Sequence, residues 1–169
     1  MTALWFDHVA SPLGMVTLVA TDSALCALDF PFGRSRMLAW LRSRFARVAL
    51  KRRDDPNGYA THVRAYFSGD FGALDAIAVD SGGTPFQEQV WSTLRTIPVG
   101  ATMSYREVAE VLRQPRAIRA VGLANARNPV CLVIPCHRVI GSDGRLRGYA
   151  SGIWRKRWLL QHEGALPPA

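Results

Sequence analysis

Two helix-start signatures, at Thr84–Gln87 and Ser104–Glu107, constrain the fold of this chain more than any other feature. In Thr84-Pro85-Phe86-Gln87 the Thr can cap the first backbone N–H groups, Pro85 suits the first helical position, and Gln87 can reach back to the cap. Phe86, Val90, Leu94 and Ile97 follow at helical spacing, and Pro98-Val99-Gly100 stops the run. Ser104-Tyr105-Arg106-Glu107 repeats the capping box, with Val108, Val111 and Leu112 as the apolar face. Gln114-Pro115 opens a third helix, from Arg116 to about Ala126. A turn at Ser142-Asp143-Gly144 reads as a hairpin, and a last helix from Gly152 to Glu163 is closed by Gly164. Short-jointed helices followed by a hairpin are the order of a winged helix-turn-helix, so residues 81–169 are predicted to form a mainly α domain of that kind.

The first half is patterned differently. Gly14–Ala20 and Ala24–Phe30 are strand-like runs around Thr21-Asp22-Ser23. A basic helix is predicted from Arg34 to Val48, with Met37, Leu38, Leu41 and Phe45 on one side, and another from Tyr59 to Phe67. The stretch Ala73–Gly83 reads as a linker. Residues 1–80 are therefore predicted to be an α/β domain of their own. A chain of 169 residues has room for two small domains.

Composition narrows the function classes. The net charge of +8 suits a polyanionic partner, since neutralising phosphates releases counterions, though a merely solubilised basic surface reads the same way. Three cysteines without disulfide spacing point to reduced thiols and a cytoplasmic setting. No secretory leader is visible, and no apolar run reaches the length of a membrane span. Cys131-x4-Cys136-His137 supplies too few ligands for zinc, and His8, Cys26 and His62 are scattered, so no metal is expected.

The third helix is slim. Ala117, Ala120, Gly122 and Ala124 leave it nearly bare, while Arg116, Arg119 and Arg127 add positive charge. Such a helix can pack closely on another helix, or enter a nucleic-acid groove; Arg119 amid small neighbours favours the groove.

Cys136 is the candidate nucleophile. It ends the apolar run Val130–Ile134 and has His137 as its neighbour. The run reads as a stiff buried strand that delivers a thiol, and thiolate is the reactive form. A buried structural cysteine is the competing reading. On a strand, Cys131 would face away from Cys136 and act only in packing. Adjacent Cys and His would also point to opposite sides, so proton transfer between them would need a bridging water.

The string Asn128-Pro129-Val130-Cys131-Leu132-Val133-Ile134-Pro135-Cys136-His137-Arg138-Val139 resembles the active-site signature of the O6-alkylguanine-DNA alkyltransferases, also called methylated-DNA–protein-cysteine methyltransferases. Gly83–Gln87, Tyr105, Arg119–Gly122, Gly148-Tyr149-Ala150 and Trp158–Gly164 resemble further blocks of that family in order and spacing. The likeness is weaker before residue 83, chiefly at Ser11–Gly14 and Ala65–Gly69.

The resemblance implies a ribonuclease H-like first domain, with a mixed sheet plus helices, that braces the second. It implies Cys136 as alkyl acceptor, His137 as the base acting through a water, Glu163 as the acid that orients the imidazole, and Asn128 as a brace of the turn before the cysteine. Tyr105 would help rotate and hold the extruded base. Arg119 would fill the stack, with Ala120, Gly122 and Ser104 also at the DNA. Pro135, Tyr149, Ala150 and Ser151 would line the substrate pocket. Ser151 stands where many members of that family carry glycine, which bears on bulky alkyl groups. The implied partner is duplex DNA carrying O6-alkylguanine, with O4-alkylthymine as a second substrate. The protein would be a monomer, with cooperativity on DNA left open, and needs no cofactor and no membrane. Two rival readings are a DNA-binding regulator with a structural or redox-sensing Cys136, and a cysteine hydrolase built on Cys136, His137 and Glu163.

Overall fold

The computed structural model describes residues 1–168, which separate into two units. The first comprises Met1–Gly82 together with Pro129–Val133; the second comprises Gly83–Asn128 and the chain from Ile134 onward.

In the first unit, β1 (Thr2–Ser11) turns back tightly into β2 (Gly14–Ala20). The Ser11 hydroxyl donates to the Gly14 carbonyl at 2.6 Å, and Gly14 takes φ +101°, a conformation that favours glycine. β2 pairs antiparallel with β3 (Leu25–Asp29). The chain then forms α1 (Arg34–Arg44) and returns as β4 (Val48–Arg52), which pairs parallel with β1. The sheet is thus mixed, in the order β3-β2-β1-β4. Met37 and Leu41 of α1 pack on Leu4, Val19, Cys26 and Ala27. α2 (Tyr59–Phe67) packs against β1.

Three expectations are corrected or filled in here. The helix predicted to reach Val48 ends at Arg44, because Phe45 is extended and residues from Val48 are taken into the sheet. Pairing with β1 overrides the local helical pattern. The stretch read as a linker has structure of its own. Phe71–Ala76 forms a 3-10 helix, and Leu25 donates to the Ala78 carbonyl while Asp80 donates back to Leu25. The third is the cysteine strand. Among the described residues the run forms isolated bridges and no continuous strand: Val130 bridges Leu28, with Leu28 donating to the Pro129 carbonyl and Cys131 to the Leu28 carbonyl. These segments cover the open edge of β3 that would otherwise be left unpaired. Val130–Ile134 is apolar because it is buried throughout, and an apolar run alone does not distinguish strand from turn.

The second unit begins with α3 (Pro85–Leu94). Its capping box is present: Gln87 N–H donates to Thr84 Oγ1, and Thr84 N–H to Gln87 Oε1. Trp91 is buried and donates Nε1–H to the Ala124 carbonyl at 2.9 Å. The short strand β5 (Met103–Ser104) leads into α4 (Tyr105–Val111), whose capping box joins Ser104 and Glu107. α5 (Ile118–Ala126) starts two residues later than Arg116, after a turn in which Ala117 donates to the Gln114 carbonyl. Cys136–Arg138 is a single 3-10 turn. β6 (Val139–Ile140) follows and pairs parallel with β5. The hairpin expected around Ser142–Gly144 is present only as its turn, with Gly144 donating to Gly141 and Gly141 to Arg145; no strand follows it among the described residues, and β6 pairs with β5. α6 (Ile153–His162) closes the unit, and Gly164 takes φ +78° just past its end. No helix among the described residues is long and apolar enough to cross a membrane.

Candidate active site

Cys136 is held by turns. Leu132, at φ +75°, sits in a three-residue turn closed by Val133 N–H on the Cys131 carbonyl. A second such turn bends at Pro135 (φ −81°, ψ 64°), where Cys136 N–H donates to the Ile134 carbonyl at 2.8 Å. Asn128 donates Nδ2–H to the same Ile134 carbonyl at 2.8 Å, and Asn125 donates to the Cys136 carbonyl at 3.4 Å. The end of α5 and the residues just past it thus brace the segment bearing the thiol. Because Cys136 opens a 3-10 turn, the alternation expected of a strand does not apply to Cys131, Cys136 and His137. Cys136 exposes 3% of its surface, and Pro135 and Cys131 are also buried.

His137 is fully buried. Its Nε2 lies 2.9 and 3.0 Å from the two oxygens of Glu163. An ionised carboxylate can only accept, so the ring proton belongs on Nε2 and the lone pair on Nδ1. Nδ1 is buried and has no partner among the described residues. Arg138 supplies the compensating charge: Nε and Nη2 donate to Glu163 at 2.8 and 2.9 Å, while Nη1 donates to the Ile97 carbonyl at 2.7 Å.

The electrostatics follow from this arrangement. Burial works against the Glu163 carboxylate, but the imidazole and the Arg138 guanidinium outweigh it and hold the group at about 2. Burial lowers the His137 pKa below the ordinary imidazole value against the pull of Glu163. With Arg138 already balancing Glu163, the imidazole stays neutral at neutral pH and keeps a basic nitrogen.

Tyr105 opens α4 and donates its hydroxyl to the Arg147 carbonyl at 3.0 Å. Lys156 Nζ donates to that same carbonyl at 2.7 Å and lies 5.8 Å from the Tyr105 ring centroid. Lys156 is fully buried, and desolvation lowers its pKa to about 8 against the opposing pull of a Cys136 thiolate. Burial raises the Tyr105 pKa, and a Cys136 thiolate adds to the rise. Both groups therefore lie within electrostatic range of the sulfur.

The expected DNA-facing residues fall into two sets. Arg119, Ala120, Leu123, Ala126 and Arg127 are exposed along α5, a slim face with positive charge. Gly122 is half-buried, and a Cβ there would lie 3.9 Å from Tyr105 Cδ1, so this part of α5 sits against the Tyr105 ring. Ser104 is buried, and its hydroxyl caps α4 by accepting from Glu107 N–H. Of the expected pocket residues, Tyr149 is half-buried, Ala150 exposed and Ser151 buried.

Sequence reasoning missed Arg138, Asn125 and Lys156. Lys156 left a signal: with Leu159, Leu160 and Glu163 it occupies one helical stripe, an odd place for a lysine unless its charge has a task.

Residues 85–165 match the family of the 6-O-methylguanine DNA methyltransferase, DNA binding domain. The methylated-DNA–protein-cysteine methyltransferase of Shigella flexneri is 42% identical over 169 residues, covering 98% of this chain and 99% of that protein. The protein of the same name from Methanosarcina barkeri is 43% identical over 164 residues, covering 95% and 97%. Among solved structures, Mycobacterium tuberculosis OGT in complex with DNA superposes with a TM-score of 0.79 at 38% identity, covering 97% of this chain and 94% of that one. The O6-methylguanine-DNA methyltransferase of Pyrococcus kodakaraensis gives 0.74 at 27% identity, covering 95% and 99%.

Proposed function

Because the chain belongs to the O6-methylguanine DNA methyltransferase family, we infer that it repairs duplex DNA by moving the alkyl group of O6-alkylguanine onto Cys136, once per molecule. O4-alkylthymine is a second substrate in this reading. The observation that carries the residue-level mechanism is the His137–Glu163–Arg138 network, which leaves a buried basic Nδ1 in the residue next to the thiol.

The alkylated oxygen lies inside a base pair, so the nucleotide must leave the stack at a cost of a few kcal/mol. Arg119 fills the gap, while the small side chains at Ala120 and Gly122 let α5 sit deep in the groove. We read α4 and α5 as the helix-turn-helix pair, the segment after β6 as the wing, and the first unit as a ribonuclease H-like domain. Residues 81–169 carry DNA binding and alkyl acceptance.

Once the base is in place, the Cys136 proton passes through a water to His137 Nδ1. Glu163 fixes the ring and stabilises the imidazolium as it forms. The thiolate attacks the alkyl carbon; the carbon–sulfur bond forms as the carbon–O6 bond breaks, and the electron pair stays on guanine. The Lys156 ammonium, with protons beyond the one it gives the Arg147 carbonyl, stabilises that charge, and the Tyr105 hydroxyl joins it by turning from the same carbonyl to the base; guanine takes up the proton that His137 received from the thiol. The product is a thioether with no carbonyl for water to attack, so the enzyme is not regenerated. A cysteine hydrolase would instead turn over many times, and the family assignment removes it from consideration.

The test is the mass of the protein after one encounter with a duplex carrying O6-methylguanine. One methyl on the peptide containing Cys136 is expected. A Cys136→Ala variant should bind the duplex and gain nothing. Reduced, folded wild type that gains no mass would overturn the assignment.

A further inference from the structure

The segment from Arg147 to Gly152 is held at both ends by consecutive basic residues of α6. At one end Lys156 Nζ and the Tyr105 hydroxyl both donate to the Arg147 carbonyl. At the other, Arg155 Nη1 donates to the Ser151 carbonyl at 2.7 Å. Arg155 is 5% exposed, unusual for an arginine on the first turn of a helix. Part of its cover is the residue beside it. The Arg155 guanidinium lies 4.3 Å from the centroid of the Trp154 ring, and Trp154 also lies against Gly152, where a Cβ would come within 3.1 Å of the indole. Trp154 is itself 55% exposed, so a large apolar ring stands half in solvent while sheltering the guanidinium. The mechanism above uses neither residue.

We propose that Arg155, sheltered by Trp154, is a positioning residue that fixes the width of the alkyl pocket and restricts this enzyme to small alkyl groups. This rests on the reading that Tyr149, Ala150 and Ser151 border the substituent on O6. Cys136 exposes 3% of its surface and Ser151 is buried as well; on that reading the substituent is seated between the thiol and this segment. A bulky substituent can be seated only if Ser151 moves outward. That movement breaks the buried, charge-assisted bond from Arg155 to the Ser151 carbonyl, whereas a methyl group leaves it intact. The strut therefore penalises large alkyl groups selectively.

The experiment is a comparison of single-turnover rates on duplexes carrying O6-methylguanine or O6-benzylguanine, for wild type, Arg155→Met and Trp154→Ala. Arg155→Met should raise the benzyl-to-methyl rate ratio about tenfold, the ordinary worth of one charged hydrogen bond. Arg155→Lys, which keeps a donor, should fall between it and wild type. Trp154→Ala removes an exposed ring and keeps the fold; it should shift the ratio in the same direction by a smaller factor. Amide hydrogen exchange at Tyr149–Gly152 should quicken in both Arg155→Met and Trp154→Ala. Rates that fall equally on both substrates, or a ratio unchanged in Trp154→Ala and Arg155→Met alike, would overturn the proposal while leaving methyl transfer to Cys136 standing. A wild type inert toward O6-methylguanine would instead remove the function on which the proposal is built.

Discussion

Replacing Glu163 by Gln tests the centre of the mechanism. The side chain is completely buried and accepts from His137 and from two nitrogens of Arg138. Its pKa is held at about 2, against 4.5 for the free group. That difference corresponds to roughly 3 kcal/mol of stabilisation, which agrees with the ~3–5 kcal/mol lost when one member of a buried ion pair is removed. Since the folded value is the lower one, the stabilisation is present in full above about pH 4.5 and fades as the pH falls towards 2. Glu163→Gln should therefore lose about 3 kcal/mol in urea denaturation at pH 7, with the gap to wild type narrowing between pH 4.5 and pH 2. The carboxamide also presents a donor where His137 and Arg138 both donate, so the imidazole loses its fixed tautomer. Methyl transfer should slow about a hundredfold, the lower end of what a positioned base contributes, while affinity for an unmodified duplex stays unchanged. An unaltered transfer rate would remove Glu163 from the mechanism. A stability loss under about 1 kcal/mol, or one independent of pH, would show that the network does not hold the carboxylate as described.

Three further outcomes are expected. Arg119→Ala should weaken transfer from duplex DNA by about tenfold or more while leaving the rate on a free-base analogue near wild type; equal losses on both would sink the role of Arg119 in extrusion. Lys156→Met should slow transfer about tenfold, one charged donor near the leaving base. It should also flatten the pH dependence of stability: Lys156 titrates near 8 in the folded chain and 10.5 in the free group, so unfolded wild type binds the extra proton and stability rises with pH across that window. Parallel pH profiles for variant and wild type would contradict the buried charge. Cys131→Ala should keep full methyl transfer to Cys136, read by peptide mass, and lose stability by about 1–2 kcal/mol through the vacated volume; a missing methyl would show that Cys131 belongs to the chemistry.

Much of the second unit was legible because its signals are local. Thr84 with Gln87, and Ser104 with Glu107, are capping boxes in sequence and in structure, since every group in a capping box lies within one turn. The errors share the opposite property. Val48 looked helical until β1 offered it a parallel partner. The run before Cys136 looked like a strand because burial and strand pairing leave the same apolar trace. The turn at Ser142–Gly144 was local and is present, whereas the strand partner of β6 is β5, more than thirty residues earlier in the chain.

The chemistry divides in the same way. The amino-acid sequence alone determined which atoms are available: a thiol at Cys136, an imidazole beside it, a carboxylate at Glu163 and a slim, basic α5, together with the helices that carry them. Only the tertiary structure decided their state. It placed Arg138 on Glu163, which lets His137 remain neutral, and it buried Lys156 within electrostatic range of the sulfur. A residue type fixes what can ionise, but whether it does so depends on desolvation and on neighbours brought together from distant parts of the chain.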